Sequence, residues 1–234
     1  MKFELLLEKI YEFEAKSGLP PFSFWPPQIS FSRSIWKSAK NMKRKTSKKG
    51  WEYSANIVDV HGDLIFTDMQ SGNTKNVKSN QRFKLKYKQL NDDLLEKQIY
   101  LNDKIFQKKK MKISRFDKEK PPYIKPVLNI HTHPEQEISN GSKVYSFFSP
   151  TDLNTFLYSN SVMFGLITEI FWLVGKTDKT ISRIGPNGIK TLERINQSVH
   201  KDKSYLESVI IDEMKDWGLV FYKGRLNSTL KRVL

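Results

Sequence analysis

Two histidines stand one residue apart in the run HTHP at 131–134, and the run SPTD follows at 149–152. In an extended chain residues i and i+2 point to the same side, so His131 and His133 can offer two imidazoles to one ion. Pro134 cannot extend a hydrogen-bond ladder, which puts the pair at a strand end, where a site can open. Ser149, Pro150 and Asp152 are also what a helix start requires: an N-cap, a proline at the first helical position and an acid at the third. A strand end and a helix cap are therefore sufficient structural explanations for the two runs. They are compatible with a second role, because a side chain on the first turn of a helix can also face a neighbouring strand end. His131, His133 and Asp152 together supply three protein ligands and leave a fourth tetrahedral position to water, the pattern of a catalytic rather than a structural zinc. Bound zinc lowers the pKa of such a water and polarises a carbonyl, and a nearby carboxylate is then needed to carry the proton. The chain has no cysteine, so thiolate zinc sites, disulfides and cysteine nucleophiles are excluded. The remaining histidines, His61 beside a glycine and His200 in a polar segment, read as surface residues.

The elements that must position these residues can be read along the 234-residue chain. Phe3, Leu6, Leu7, Ile10 and Phe13 recur at helical spacing near the N-terminus. Acidic residues interrupt that helix, so neither a secretory signal nor a transit peptide fits. Four prolines and three aromatics in LPPFSFWPPQ (19–28) indicate an extended connection packed along the domain. A short strand, ISFS (29–32), precedes a helix that stops near Gly50. WEYSANIVDV (51–60) and DLIFTDMQ (63–70) flank a His-Gly pair and form a hairpin. The apolar positions of 90–107 fit an amphipathic helix within a polar, Lys-rich insertion at about 76–120. The strand YIKPVLNI then runs into the histidines. EQEISNGSKVYSFF, before Ser149, reads as a loop that bulges outward while both ends stay put. SPTDLNTFLYS begins a helix, VMFGLIT and EIFWLVGKT are buried strands, and TISRIGPNGI is a strand ending in a turn. One or two helices follow, then the strand-like GLVFYKG and a basic tail. This is an α/β or α+β chain.

Net charge is +15 and unevenly spread. Residues 36–50 carry seven basic side chains and no acid, 74–88 carry six and no acid, and 104–120 carry eight against two acids. Nucleic acid is therefore a candidate partner through these stretches. Lysine outnumbers arginine, which argues against a site that reads phosphate geometry closely. The longest apolar run (162–174) contains Glu169 and is too short to span a bilayer as a helix. The expectation is a soluble, intracellular protein without a membrane partner.

HTHP followed by SPTD resembles the signature of the JAMM/MPN+ zinc metalloprotease superfamily, in which His-x-His-Pro precedes Ser-x-x-Asp and follows a glutamate on an earlier strand. Glu52 in GWEYSANIV stands where the family pattern puts that glutamate, with Ala55 and Ile57 at its small and aliphatic positions. Glu96 and Glu119 lie in the basic insertion and match less well. The resemblance implies that His131, His133 and Asp152 bind one catalytic zinc ion, that Glu52 activates water and that Ser149 hydrogen-bonds the oxyanion. It covers about 29–184, where the element order also follows the family, and implies a mixed sheet flanked by helices. Residues 1–28 would then be an N-terminal helix and connector, and 185–234 a C-terminal helical extension. Fifteen residues separate His133 from Ser149, more than the family's usual spacing. The implied reaction is metalloprotease or isopeptidase hydrolysis of an amide in a protein or peptide, a ubiquitin-like conjugate being one candidate. All five motif residue types are present, which argues against an inactive relative. An alternative from another class is a nucleic-acid-associated protein, similar to RadC-type members of the superfamily, whose basic insertion binds DNA or RNA.

Overall fold

Apolar spacing decides which helix faces turn inward. The computed structural model describes residues 1–16, 18–60, 63–67, 69–72, 82–88, 94–100, 124–134, 146–159, 161–181, 183–199 and 203–234. Helix α1 (Phe3–Lys16) buries Phe3, Leu6, Leu7 and Ile10, one stripe at steps of three and four. A single 3-10 turn, Phe22–Phe24, and the two-residue strand β1 (Gln28–Ile29) lead to α2 (Arg33–Lys49). Ile35, Trp36, Ala39, Met42 and Thr46 form the buried stripe of α2. The helix ends because Gly50 takes a left-handed φ of 66° and donates its N–H to the Thr46 carbonyl.

The expected hairpin is present as β2 (Tyr53–Val60) and β3 (Asp63–Phe66), with β4 (Gln70–Ser71) returning to pair with Tyr53 and Ser54. The sequence suggests one continuous second strand, but Thr67 leaves the ladder. Its N–H donates to the Asn56 carbonyl and its hydroxyl accepts from the Asn56 N–H. Strands β5 (Arg82–Lys88) and β6 (Leu94–Tyr100) form a separate antiparallel pair. This corrects the helix expected at 90–107 over Leu94–Tyr100; its residues 90–93 and 101–107 lie outside the described part. Leu95, Ile99 and Tyr100 fit helical spacing, but Leu94–Tyr100 also tolerates a strand, and short apolar runs do not separate the two states. His61, His200, Glu119 and most of the two later basic stretches also lie outside the described residues.

Strand β7 (Ile124–Thr132) carries the first histidine and accommodates Pro126, the partner of Val58, beside a register shift between Ile57 and Val58, a position where proline is tolerated in a sheet. Helix α3 (Pro150–Tyr158) crosses over to β8 (Met163–Ile167), which pairs parallel with β7. Strand β9 (Phe171–Lys176) returns antiparallel to β8. The IGPNG stretch is a helix start and not a strand-ending turn: Pro186 opens α4 (Pro186–Val199), where a proline loses no intrahelical bond. Helix α5 (Lys203–Lys215) follows, then β10 (Leu219–Gly224) and β11 (Leu230–Arg232). The segment after 185 thus contributes two strands to the sheet besides its two helices.

Among the described residues the main sheet runs β1-β11-β10-β9-β8-β7-β2-β3, with β4 also on β2, and every pair but β7/β8 is antiparallel. The fold is mixed α/β. Side chains alternate across it. Ala55, Ile57, Leu128, Ile130, Leu173, Val220 and Tyr222 join the buried faces of α1 and α2 in one core. Phe164, Leu166, Trp172, Val174, Leu219 and Phe221 join α3, α4 and α5 in the other. The connector 19–28 is anchored into the first core. Trp25 is 1% exposed and lies against Gly175, where a Cβ would fall 2.4 Å from the indole. Tyr222 donates its hydroxyl to the Pro26 carbonyl at 2.7 Å, and Arg232 donates to the Trp25 carbonyl at 2.6 Å. Among the described residues no helix is long and apolar enough to cross a membrane.

Candidate metal centre

The site forms where the end of β7 meets the start of α3. His131 pairs with Ser54 of β2 and Leu166 of β8, so its ring projects from the face that α3 covers. His133 lies just past the strand, and its N–H donates to the Ile167 carbonyl at 3.1 Å, which continues the extended backbone and keeps both rings on one side. Thr132 between them faces the opposite core. Its Oγ1 lies 2.5 Å from Thr46 Oγ1 on α2 and accepts from the Tyr53 N–H at 2.9 Å.

Asp152 is oriented by the helix cap. The Asp152 N–H donates to Ser149 Oγ at 3.1 Å, and the Ser149 N–H donates to Asp152 Oδ2 at 2.8 Å, a complete capping box with Pro150 following the cap. Held this way, the carboxylate faces both rings: Oδ1 is 3.4 Å from His131 Nε2 and Oδ2 is 3.4 Å from His133 Nε2. The two Nε2 atoms are 3.2 Å apart. Ligand atoms of His131, His133 and Asp152 all lie within 4.8 Å of one another. Cap and cluster therefore use the same two residues, Ser149 and Asp152.

Glu52 precedes β2 and is not part of it. Its carbonyl accepts from the Gly72 N–H at 2.9 Å, and its Oε1 lies 4.0 Å from His133 Nε2. The glutamate is 8% exposed and the histidines 4% and 7%. Burial alone would raise the Asp152 carboxyl, but the imidazoles of His131 and His133 act on it through charge and hydrogen bonding and hold it well below the usual carboxylate range.

An aromatic stack orients His131. Phe164 of β8 is stacked on its ring at 4.9 Å and 23°, and Phe148 and Phe156 are stacked on Phe164 at 5.4 and 5.5 Å. The nitrogen on the far side, His131 Nδ1, is buried without a hydrogen-bond partner. Histidine ligands commonly fix their outer N–H with an acceptor, and here ring packing takes that part. Phe147 and Phe148, which the sequence reading places in an outward loop, are completely buried in the second core. Asn196 of α4 accepts from the Phe147 N–H and donates to the Phe148 carbonyl, so α4 fixes the approach to Ser149. Residues 135–145 lie outside the described part.

The donor set suits a divalent cation. Two Nε2 atoms 3.2 Å apart cannot both direct a proton at each other, and the ionised carboxylate beside them adds acceptors without protons. A cation satisfies all of them together, and two imidazoles with one carboxylate are ligands that zinc accepts. The cluster can thus hold a metal ion, with one further carboxylate, Glu52, and one hydroxyl, Ser149, at its margin.

The sequence singled out the five polar residues but not the groups that hold them. Phe148, Phe164, Thr46 and Thr132 were missed. The one available signal was Thr132 itself, since the middle residue of His-x-His must point to the other face and meet whatever packs there. No protein-family model, no curated protein and no solved structure matches the chain.

Proposed function

We propose that the chain is a zinc-dependent hydrolase of the JAMM type that cleaves a peptide or isopeptide bond. The observation that supports this most is the convergence of His131, His133 and Asp152 with the Glu52 carboxylate 4.0 Å from His133. His131, His133 and Asp152 would hold the ion, which when bound polarises the substrate carbonyl and acidifies water. Glu52, on the His133 side, takes a proton from the attacking water and passes it to the leaving amine. Its burial keeps bulk water from competing for that proton. The Ser149 Oγ accepts from the Asp152 N–H, so the cap does not use the hydroxyl proton, which is available to donate to the oxyanion as it forms. The capping box keeps that hydroxyl beside the carboxylate in one rigid turn.

The test is cleavage of a panel of ubiquitin-like conjugates and unmodified peptides by the zinc-loaded protein, beside Glu52→Gln. Loss of 10²–10⁴-fold in rate with unchanged zinc content is expected for a general base. Less than stoichiometric zinc in the unsubstituted protein after loading would count against the site. Activity that survives Glu52→Gln would mean that the base is another group.

A further inference from the structure

Helix α2 carries a second feature that the hydrolase reading does not use. Eight of its seventeen residues are Lys or Arg and none is acidic. Arg33, Lys37, Lys40, Arg44 and Lys48 fall within about 80° of one another at 100° per residue, opposite the buried stripe. All five are exposed. Among the described residues none of them forms an ion pair, and only Arg44 has a polar partner, the Asn41 side chain. Lys37, Lys40 and Arg44, with Ser38 and Asn41, line a depression of about 490 Å³. From Arg33 to Lys48 the stripe rises about 22 Å at 1.5 Å per residue. The helix ends three residues before Glu52, and Trp51 in between is 43% exposed.

We infer that the outer face of α2 is a binding surface for a single-stranded nucleic acid, its phosphates along the cationic stripe and a base stacked on Trp51. Regularly spaced cations match a regularly charged backbone, and an exposed aromatic supplies a stacking face that any base can use. Lysine-dominated surfaces act on phosphates as point charges, which suits sequence-independent binding. An anionic bilayer fits less well, because the large apolar side chains of α2 are all buried and none is left to insert. The inference does not depend on the hydrolase reading, and zinc content reports the latter separately.

The test is fluorescence anisotropy of a labelled mixed-sequence single-stranded oligonucleotide titrated with the full chain at 50, 100 and 200 mM salt. Five phosphate contacts on a single strand predict a salt slope of about −3.5, a weakening of roughly 100-fold between 50 and 200 mM. Lys37→Glu with Lys40→Glu and Arg44→Glu should weaken binding at least tenfold at 100 mM salt and flatten the slope. Lys190→Glu with Lys215→Glu and Arg225→Glu makes the same change in net charge at exposed positions away from α2 and should leave affinity within twofold. Circular dichroism and thermal unfolding of both variants confirm that the fold persists. Trp51→Ala should weaken the single strand several-fold and leave duplex affinity unchanged. Equal losses in the two charge variants, tighter α2-dependent binding to poly-glutamate or to phosphatidylserine vesicles, or equal binding of single strand and duplex with no effect of Trp51→Ala would each overturn the proposal.

Discussion

Thr132 Oγ1 and Thr46 Oγ1 meet at 2.5 Å on the face of β7 opposite the one that carries His131 and His133. The contact ties the backbone between the two candidate ligands to α2, and the Tyr53 N–H donating to the same oxygen ties it to β2. Thr132→Val keeps the shape and removes the acceptor, which leaves a buried N–H and a buried hydroxyl unsatisfied. A loss of about 1–3 kcal/mol is expected by urea unfolding. Adding Thr46→Val should cost less than the sum of the single changes, since it removes one of the stranded groups.

The cluster predicts a stoichiometric metal that stabilises the fold. The unsubstituted protein should bind about one equivalent of zinc, and His131→Ala or His133→Ala less than about a tenth, by metal analysis after loading and desalting. Free zinc at a hundred times its Kd should add about 2.7 kcal/mol to stability. A chelator should therefore lower the melting temperature of the loaded protein and leave that of His133→Ala unchanged.

Ser149 has two separable duties. Ser149→Ala removes the cap and should cost about 1 kcal/mol of stability, together with 10²–10³-fold in rate if the hydroxyl donates to the oxyanion. Ser149→Gly is tolerated at an N-cap and offers no side-chain donor, so its stability should stay within a few tenths of a kcal/mol of the unsubstituted protein. Its rate should remain as low as that of Ser149→Ala. Recovery of rate together with stability in Ser149→Gly would assign the residue to the cap alone.

Lys176 gives stability an alkaline dependence. Its amine caps the end of α3 by donating to the Ser159 carbonyl and lies over the Phe156 ring, and burial pushes it down to about 8 from an ordinary 10.5. Between these values the folded chain binds fewer protons than the unfolded chain, so the penalty of burying the charge is present in full below pH 8 and fades toward pH 10.5. Lys176→Met carries no such penalty. Its stability relative to the unsubstituted protein should therefore be highest near pH 7 and decline as pH rises to 10, measured by urea unfolding at each pH. A constant difference would contradict the depressed value.

Local patterns were legible where one physical requirement acts alone. Ser149 and Asp152 announced their capping box, Gly50 the end of α2, and the apolar runs at 162–167 and 170–176 two buried strands. Legibility failed where two requirements share a residue. Pro186 serves a turn and a helix start equally well, and neighbouring α5 decides for the helix by packing against α4. Leu94–Tyr100 suits helix or strand until a partner strand is present. Phe147 and Phe148 follow a polar, turn-rich stretch, and only the core made by α3, α4 and the sheet shows that they are fixed points. The meeting of β7 with α3 needs the crossover to β8, which no residue announces singly.

The pairing of β1 with β11, Gln28 opposite Lys231 and Ile29 opposite Leu230, joins strands from nearly the two ends of the 234-residue chain. Hairpins such as β8/β9 close over a few residues and pay little loop entropy, whereas this ladder must wait until almost everything between has ordered. The edge strand and the anchored connector beside it are therefore late arrivals in folding. Synthesis on the ribosome would expose Ile29 and its neighbours until β11 emerged, a period in which the first core has no finished border.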